Sequence, residues 1–238
     1  MSGPQCCENP PTLSSSSGAG SIVEIGGLKA YVNGSTDSNL SVILISDVYG
    51  YEAPKLRKLA DKTAAAGFYV VVPDFFYGDP YVADAGKPVQ VWLKDHSPEK
   101  GFNDAKPIIA ALRSKGITAI GAAGFCWGAK VVVELAKSEY IQAGVLLHPS
   151  LITPADFGEV KAPIAVLGAE FDSISPPELL KECEQVLCTR PEVKSYVKIF
   201  PGVPHGWTVR YKDEDEVVVK SAEEAHKNML EWFTEYVK

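Results

Sequence analysis

The 238-residue sequence has neither a long apolar run nor an excess of basic residues. A membrane-spanning helix needs roughly 18 consecutive apolar residues, whereas the longest apolar runs, residues 41–45 and 117–125, have the length of strands. The 30 acidic residues outnumber the 23 basic ones and give a net charge of −7. Because binding to nucleic-acid phosphates requires a basic surface, we expect neither a membrane nor a nucleic acid as a partner.

Cysteine is also scarce, with five residues in the whole chain. So few cysteines, in an odd number, do not predict a disulfide scaffold. The first 20 residues are polar, rich in serine and glycine, and lack the apolar core of a secretory signal. We therefore expect a cytoplasmic protein with a flexible N-terminal tail over residues 1–20 and one folded domain over residues 21–238.

From residue 21 onwards, short apolar runs alternate with longer stretches of helical periodicity. This alternation predicts a single-domain α/β fold, with a mostly parallel central sheet and helices on both faces. Residues 75–100 show no clear period and are expected to form a long lid or binding loop. Ligands bind beyond the carboxyl ends of the strands in such sheets, so the polar residues that follow predicted strands are the candidates for chemistry: Asp47, Cys126, His148, Asp172 and His205.

Residues 124–128, Gly-Phe-Cys-Trp-Gly, have the form of the G-x-S-x-G nucleophile turn with cysteine in place of serine. They follow a predicted strand and precede a predicted helix, and the two glycines avoid collisions around the sharp turn. The helix N-terminus favours the thiolate form of Cys126. The pattern therefore predicts a nucleophilic free thiol; the alternative is a small buried cysteine that fills a packing gap.

A cysteine nucleophile needs a base, and the base needs an orienting acid. In this kind of fold the order along the chain is nucleophile, acid, base. Asp172 and His205 follow predicted strands in that order, and we assign them as acid and base. Glu170 stays an alternative acid and His148 an alternative base, although His148 precedes Asp172 and is expected to be structural.

The remaining histidines and cysteines show no metal-binding pattern. His96 and His226 are expected to be solvated, in the lid and on the last helix respectively. The adjacent Cys6 and Cys7 lie in the polar tail, and no C-x-x-C pair, H-E-x-x-H motif, phosphate loop or dinucleotide motif is present. We therefore expect no metal and no cofactor.

Four segments resemble the dienelactone hydrolase (carboxymethylenebutenolidase) family of α/β-hydrolases, and residues 3–7 of the tail resemble its eukaryotic members. These segments are residues 46–50, 72–76, 124–128 and 205–207, and the resemblance extends over about residues 21–236. It implies an α/β-hydrolase fold with Cys126, Asp172 and His205 as the catalytic triad. It also implies an oxyanion hole formed by the backbone N–H groups of Trp127 and Val48.

The sequence departs from the bacterial lactonases of that family at two positions. Asp47 stands where those enzymes have a glutamate beside the thiol. They also hold the substrate carboxylate with two arginines; Arg210 lies near one expected position, but the other falls near Gly78, where no arginine is present. We expect Asp47, Arg210 and the aromatic residues Tyr49 and Trp207 to bind the substrate.

The expected activity is hydrolysis of a small ester or lactone through a thioacyl intermediate on Cys126. Plant relatives are sometimes labelled endo-1,3;1,4-β-glucanases, and such a glycosidase would need two carboxyl groups that flank the scissile bond. Asp47 with Asp172 or Glu170 could supply them. A non-catalytic protein that binds a small molecule on the same fold is the other alternative.

Overall fold

The computed structural model describes residues 4–83 and 85–238. Eight strands form one sheet: β1 (Ser21–Ile25), β2 (Leu28–Asn33), β3 (Leu40–Ile45), β4 (Tyr69–Pro73), β5 (Ala119–Phe125), β6 (Ala143–Leu147), β7 (Ile164–Phe171) and β8 (Ser195–Pro204). Their order across the sheet is β1-β2-β4-β3-β5-β6-β7-β8. Strands β1 and β2 form an antiparallel hairpin, β2 pairs antiparallel with β4, and all other pairs are parallel.

Helices cover both faces of this sheet, as the sequence predicts. They are α1 (Pro54–Ala65), α2 (Val89–Asp95), α3 (Pro98–Ser114), α4 (Trp127–Ala136), α5 (Pro154–Phe157), α6 (Pro177–Cys188) and α7 (Glu216–Tyr236). Helices α2 to α6 share one apolar core, whereas α1 and α7 share the other. None of the helices in the two described ranges is long and apolar enough to cross a membrane.

Strand β3 shows why the sheet needs helices on both faces. Successive side chains of a strand point to opposite faces. Ile43 and Ile45 accordingly enter the core under α2 to α6, while Val42 and Leu44 enter the core under α1 and α7. A strand that is apolar on both faces is stable only when both are covered.

The predicted lid over residues 75–100 contains more helix than the sequence indicates. Helix α2 has only seven residues and two buried side chains, Val89 and Trp92, too few to produce a visible period. Helix α3 begins at Pro98, within the predicted lid. The Ser97 side chain caps it by accepting a hydrogen bond from Lys100 N at 3.2 Å, and Pro98 occupies its first turn, where a missing N–H costs little.

The described part of the N-terminal segment, residues 4–20, lies against the domain. It begins with a 3₁₀ turn, Pro4–Cys7, in which Cys6 is fully buried. Further along, Arg57 Nη1 donates to Ser15 O at 2.8 Å, and Gly20 N donates to the Tyr31 hydroxyl at 2.7 Å. The flexibility expected for this segment stays a prediction, but its first turn reaches the edge of the sheet where β3, β5, β7 and β8 end.

Candidate active site

Cys126 lies on a strained turn between β5 and α4. Its backbone has φ 50° and ψ −107°, a conformation with positive φ that non-glycine residues seldom adopt and that occurs mainly at functional sites. A Cβ atom at Gly124 would lie 2.2 Å from Gly128 O, and one at Gly128 would lie 2.1 Å from Ile45 O. Only glycine fits at either position, so the turn has the geometry that the G-x-C-x-G pattern predicts.

Asp172 and His205 form a buried pair at the same edge of the sheet. Asp172 follows β7 and His205 follows β8. His205 Nδ1 lies 2.7 Å from Asp172 Oδ2, and both side chains are fully buried. The other carboxylate oxygen of Asp172 accepts hydrogen bonds from the backbone N–H groups of Ile174 and Ser175 at 2.8 and 3.1 Å, which fixes its orientation.

Glu170, the alternative acid, is placed elsewhere. Its Oε2 accepts a hydrogen bond from Gly202 N at 2.7 Å at the surface. The structure therefore pairs the histidine with Asp172.

The structure brings Cys126, His205 and Cys6 together. The two Sγ atoms and one ring nitrogen of His205 all lie within 4.8 Å of one another. The Sγ atoms of Cys6 and Cys126 are 3.1 Å apart. Ser150 Oγ lies 3.6 Å from Cys126 Sγ. Two thiols and an imidazole are ligands that Zn²⁺ accepts. This set could not be predicted from the sequence, because Cys6 is 120 residues from Cys126.

The protonation of the site differs from the expectation for an exposed helix N-terminus. Burial, and then the hydrogen bond with Cys6, raises the pKa of the Cys126 thiol well above its ordinary value, although His205 opposes this rise. Burial alone would lower the pKa of His205, but the charge of Cys126 and the hydrogen bond with Asp172 outweigh it and raise that pKa to about 9. Burial and the contact with Cys6 therefore disfavour the thiolate form of Cys126, whereas His205 favours it.

Asp47 and Arg210 form a buried ion pair beside the thiols. Arg210 Nε lies 3.2 Å from Asp47 Oδ2, and Asp47 Oδ1 accepts a hydrogen bond from Tyr49 N at 3.0 Å. Burial raises the pKa of Asp47 from its ordinary value, and the positive charge of Arg210 opposes that shift. The guanidinium carbon of Arg210 also lies 5.5 Å from the centre of the Tyr49 ring. Three of the four predicted substrate-binding residues therefore contact one another.

The two predicted oxyanion donors come from neighbouring segments. Trp127 is the first residue of α4, so its N–H has no acceptor within the helix. A Cβ atom at Gly128 would lie 2.8 Å from Ser46 O, so the start of α4 packs against the segment that leads to Val48. The carbonyl of Val48 accepts a hydrogen bond from Tyr81 N at 2.9 Å, which fixes the peptide that follows Val48.

These features agree with what the chain is similar to. A sequence model described as the dienelactone hydrolase family matches residues 28–237. The chain belongs to the dienelactone hydrolase family. It is therefore an enzyme of the ester- and lactone-hydrolysing class.

Individual members resemble this dienelactone hydrolase family chain to different extents. A Zea mays protein described as an endo-1,3;1,4-beta-D-glucanase is 46% identical over 195 residues, which are 79% of this chain and 63% of the maize protein. A Mus musculus protein described as a carboxymethylenebutenolidase homolog is 33% identical over a match that covers 92% of this chain and 92% of the mouse protein. The crystal structure of a putative dienelactone hydrolase from Klebsiella pneumoniae has a TM-score of 0.75 at 19% identity, covering 88% of this chain and 93% of that one. At that identity the last comparison supports the fold alone.

The other histidines of this dienelactone hydrolase family member are all buried. His148 is fully buried, and its Nε2 lies 2.8 Å from Thr208 Oγ1. Its ring centre is 5.1 Å from that of His205, and burial holds its pKa well below the ordinary value. It is thus a neutral ring that packs behind His205, as expected for a structural histidine. Trp207 is also buried and packs against His148 and Phe200.

The expectation that His96 and His226 are solvated was wrong. His96 stacks on Trp92 with ring centres 4.3 Å apart and is 8% exposed. His226 is 4% exposed, and its Nε2 lies 2.8 Å from Thr208 O. Helical spacing predicts the burial of His226, because this residue falls on the buried face of α7 together with Ala222, Ala225, Met229 and Phe233.

Proposed function

We propose that this enzyme hydrolyses small esters or lactones with Cys126 as nucleophile, His205 as general base and acid, and Asp172 as the residue that orients His205. The observation that carries the proposal is the buried 2.7 Å hydrogen bond between His205 and Asp172, with the histidine beside a thiol on a strained strand-to-helix turn. A cysteine, a histidine and a carboxylate in that relation are the parts of nucleophilic acyl transfer.

The reaction would proceed in two half-reactions. The Cys126 sulfur attacks the carbonyl carbon, and the N–H groups of Trp127 and Val48 stabilise the negative charge that develops on the carbonyl oxygen. His205 Nε2 takes the proton of the Cys126 thiol and donates it to the alkoxide oxygen as the C–O bond breaks, and a thioester forms on Cys126. His205 then accepts a proton from water, the resulting hydroxide attacks the thioester, and the Cys126 thiolate leaves as the carboxylic acid forms.

Asp47, Tyr49 and Arg210 are proposed to bind the substrate. Arg210 is the single buried positive charge that the sequence predicted near the thiol, and Asp47 already neutralises it. A second negative group on the substrate would therefore compete with Asp47 for the guanidinium. This arrangement favours neutral or weakly polar esters and lactones over substrates with a free carboxylate. Trp207 is proposed to support the loop that carries His205.

The test compares the wild-type protein with Cys126→Ala, His205→Ala and, as a matched control, Cys188→Ala. Cys188 is exposed at the end of α6, away from the proposed site. With p-nitrophenyl acetate and a small lactone, both site variants should lose hydrolysis while the control keeps the wild-type rate. Equal rates in all four proteins would refute the proposal.

The similarity to the maize protein described as a glucanase supports a second candidate function. A glycosidase needs two available carboxyl groups on either side of the scissile bond. In the structure Asp172 binds His205, Asp47 pairs with Arg210, and Glu170 binds the backbone at Gly202. Sugar release from a mixed-linkage glucan that is undiminished in Cys126→Ala would nevertheless establish this second function over the first.

A further inference from the structure

The N-terminal turn covers the proposed nucleophile. The turn and the residue after it, residues 4–8, are here called the N-terminal cover. On one side of the thiols, Gln5 Oε1 accepts hydrogen bonds from Ser173 N and Oγ at 2.7 Å each, and Gln5 Nε2 donates to Phe171 O at 2.6 Å. The cover is thereby tied to the loop that carries Asp172.

Proposed substrate-binding residues hold the other side of the cover. Arg210 Nη1 donates to the carbonyl oxygens of Cys6 and Glu8 at 2.8 and 2.6 Å. The Tyr49 hydroxyl donates to Cys7 O at 2.6 Å. Polar groups that would bind a substrate are therefore occupied by the backbone of the same chain.

Between these two attachments, Cys6 points at Cys126. Both side chains are fully buried, and their sulfur atoms are 3.1 Å apart. The sulfur atoms of a disulfide are about 2.04 Å apart, so a displacement of about 1 Å would join them. Cys183 and Cys188 both lie on α6, and Cys7 is only partly buried. Cys6 is therefore the cysteine placed to react with Cys126.

We propose that Cys6 is a resolving cysteine, which forms a reversible disulfide with Cys126 after a hydroperoxide has oxidised Cys126 and so closes the active site under oxidising conditions. The disulfide rests on the contact between the two sulfur atoms. Only the loss of hydrolysis rests on the proposed function of Cys126.

The chemistry has two steps that balance. When the cover lifts, the Cys126 thiolate attacks one oxygen of the hydroperoxide; the O–O bond breaks, Cys126 becomes a sulfenic acid, and water or an alcohol leaves. When the cover returns, the Cys6 sulfur attacks the Cys126 sulfur; the S–O bond breaks and water leaves. Two thiols have then lost two electrons and two protons to the peroxide. A nearby resolving thiol protects a sulfenic acid from further, irreversible oxidation.

The experiment uses the full chain, reduced, freed of reductant and treated with a small excess of hydrogen peroxide in the presence of a chelator. Free thiols are then alkylated, and the unreduced peptides are analysed by mass spectrometry. The wild type should yield a Cys6–Cys126 linked peptide and lose p-nitrophenyl acetate hydrolysis, which dithiothreitol should restore. In Cys6→Ser the linked peptide should be absent, Cys126 should accumulate as sulfinic acid, and dithiothreitol should not restore the lost rate.

The exposed Cys188 supplies the matched control, because Cys188→Ser should behave as the wild type in every measurement. Oxidation of Cys126 to sulfinic acid to the same extent in the wild type and in Cys6→Ser would overturn the proposal, as would a link from Cys126 to Cys7 instead. If the linked peptide forms but no protein in the series hydrolyses esters, the proposed function fails and the disulfide stands. If esters are hydrolysed but the linked peptide never forms, the disulfide proposal fails and the proposed function stands.

Discussion

His226 should make the protein lose stability in mild acid, and glutamine in its place should reduce that loss. The imidazole is buried on α7, with Nε2 2.8 Å from Thr208 O. Burial, aided by the positive charge of Lys62 and opposed by the hydrogen bond to Thr208, lowers the pKa of His226 from 6.5 to about 4. Lys62, Glu223 and Lys227 line the groove beside it. The folded protein therefore resists protonation of a group that the unfolded chain protonates readily.

The sign and size of the effect follow from these two pKa values. A group whose pKa is lower in the folded state contributes its full stability above pH 6.5 and loses it as the pH falls towards 4. Between about pH 7 and about pH 4.5 the free energy of unfolding should fall by about 2 kcal/mol through this group alone. Burial also lowers the pKa of His148, which adds to the loss in the wild type, so the share of His226 is measured as the difference between the wild type and a His226 variant.

The assay is urea unfolding followed by tryptophan fluorescence at these two pH values. His226→Gln keeps an N–H donor for Thr208 O but cannot take up a proton, so its loss of stability on acidification should be about 2 kcal/mol smaller than that of the wild type. Lys227→Gln is the matched control, since its side chain is next along α7 and 72% exposed; its loss should equal that of the wild type. The same loss in His226→Gln and the wild type would refute the reasoning.

Three further changes test the turn, the acid and a structural ion cluster. Gly128→Ala should abolish hydrolysis, or prevent soluble expression, because its Cβ atom would lie 2.1 Å from Ile45 O; wild-type turnover would contradict this. Asp172→Asn should lower the rate constant of ester hydrolysis on the order of 10⁴-fold, because His205 loses its charged partner, and the circular dichroism should not change. A decrease of less than tenfold would mean that another residue is the orienting acid. Asp156 forms ion pairs with Lys130 and Lys137 at 2.6 and 2.9 Å. Burial alone would raise the pKa of Asp156, but the hydrogen bonds with these two lysines outweigh it and lower the pKa to about 2. Asp156→Asn should therefore lower the free energy of unfolding at neutral pH by roughly 1–2 kcal/mol. This difference from the wild type should shrink as the pH falls through about 2. A difference in urea unfolding that does not change with pH would count against the ion pairs.

The parts of the site that could be predicted are those encoded in short stretches of chain. Gly124 and Gly128 flank Cys126 by two residues on either side, and their need for glycine arises from the same turn. Asp172 and His205 were predictable because each follows its own parallel strand, and parallel strands end at one edge of the sheet. Local pattern and topology together were sufficient for these residues.

The rest depends on contacts between residues far apart in the chain. Cys6 lies in a polar segment without periodicity, and its contact with Cys126 depends on hydrogen bonds of this segment with Ser173, Tyr49 and Arg210, which are far from it in the chain. The thiolate expected from the helix N-terminus at the start of α4 is opposed by the burial of Cys126 and by its contact with Cys6. The sequence also placed Asp47 and Arg210 near the substrate without indicating that they neutralise each other.

The N-terminal cover also has a consequence for how substrate concentration affects the rate. Because it is tethered to the site, its effective concentration there does not fall when the protein is diluted. The apparent dissociation constant of any substrate equals its intrinsic value divided by the fraction of molecules in which the cover is lifted. Esters of very different structure would therefore share one common factor in KM, set by Gln5, Tyr49 and Arg210 and not by the ester.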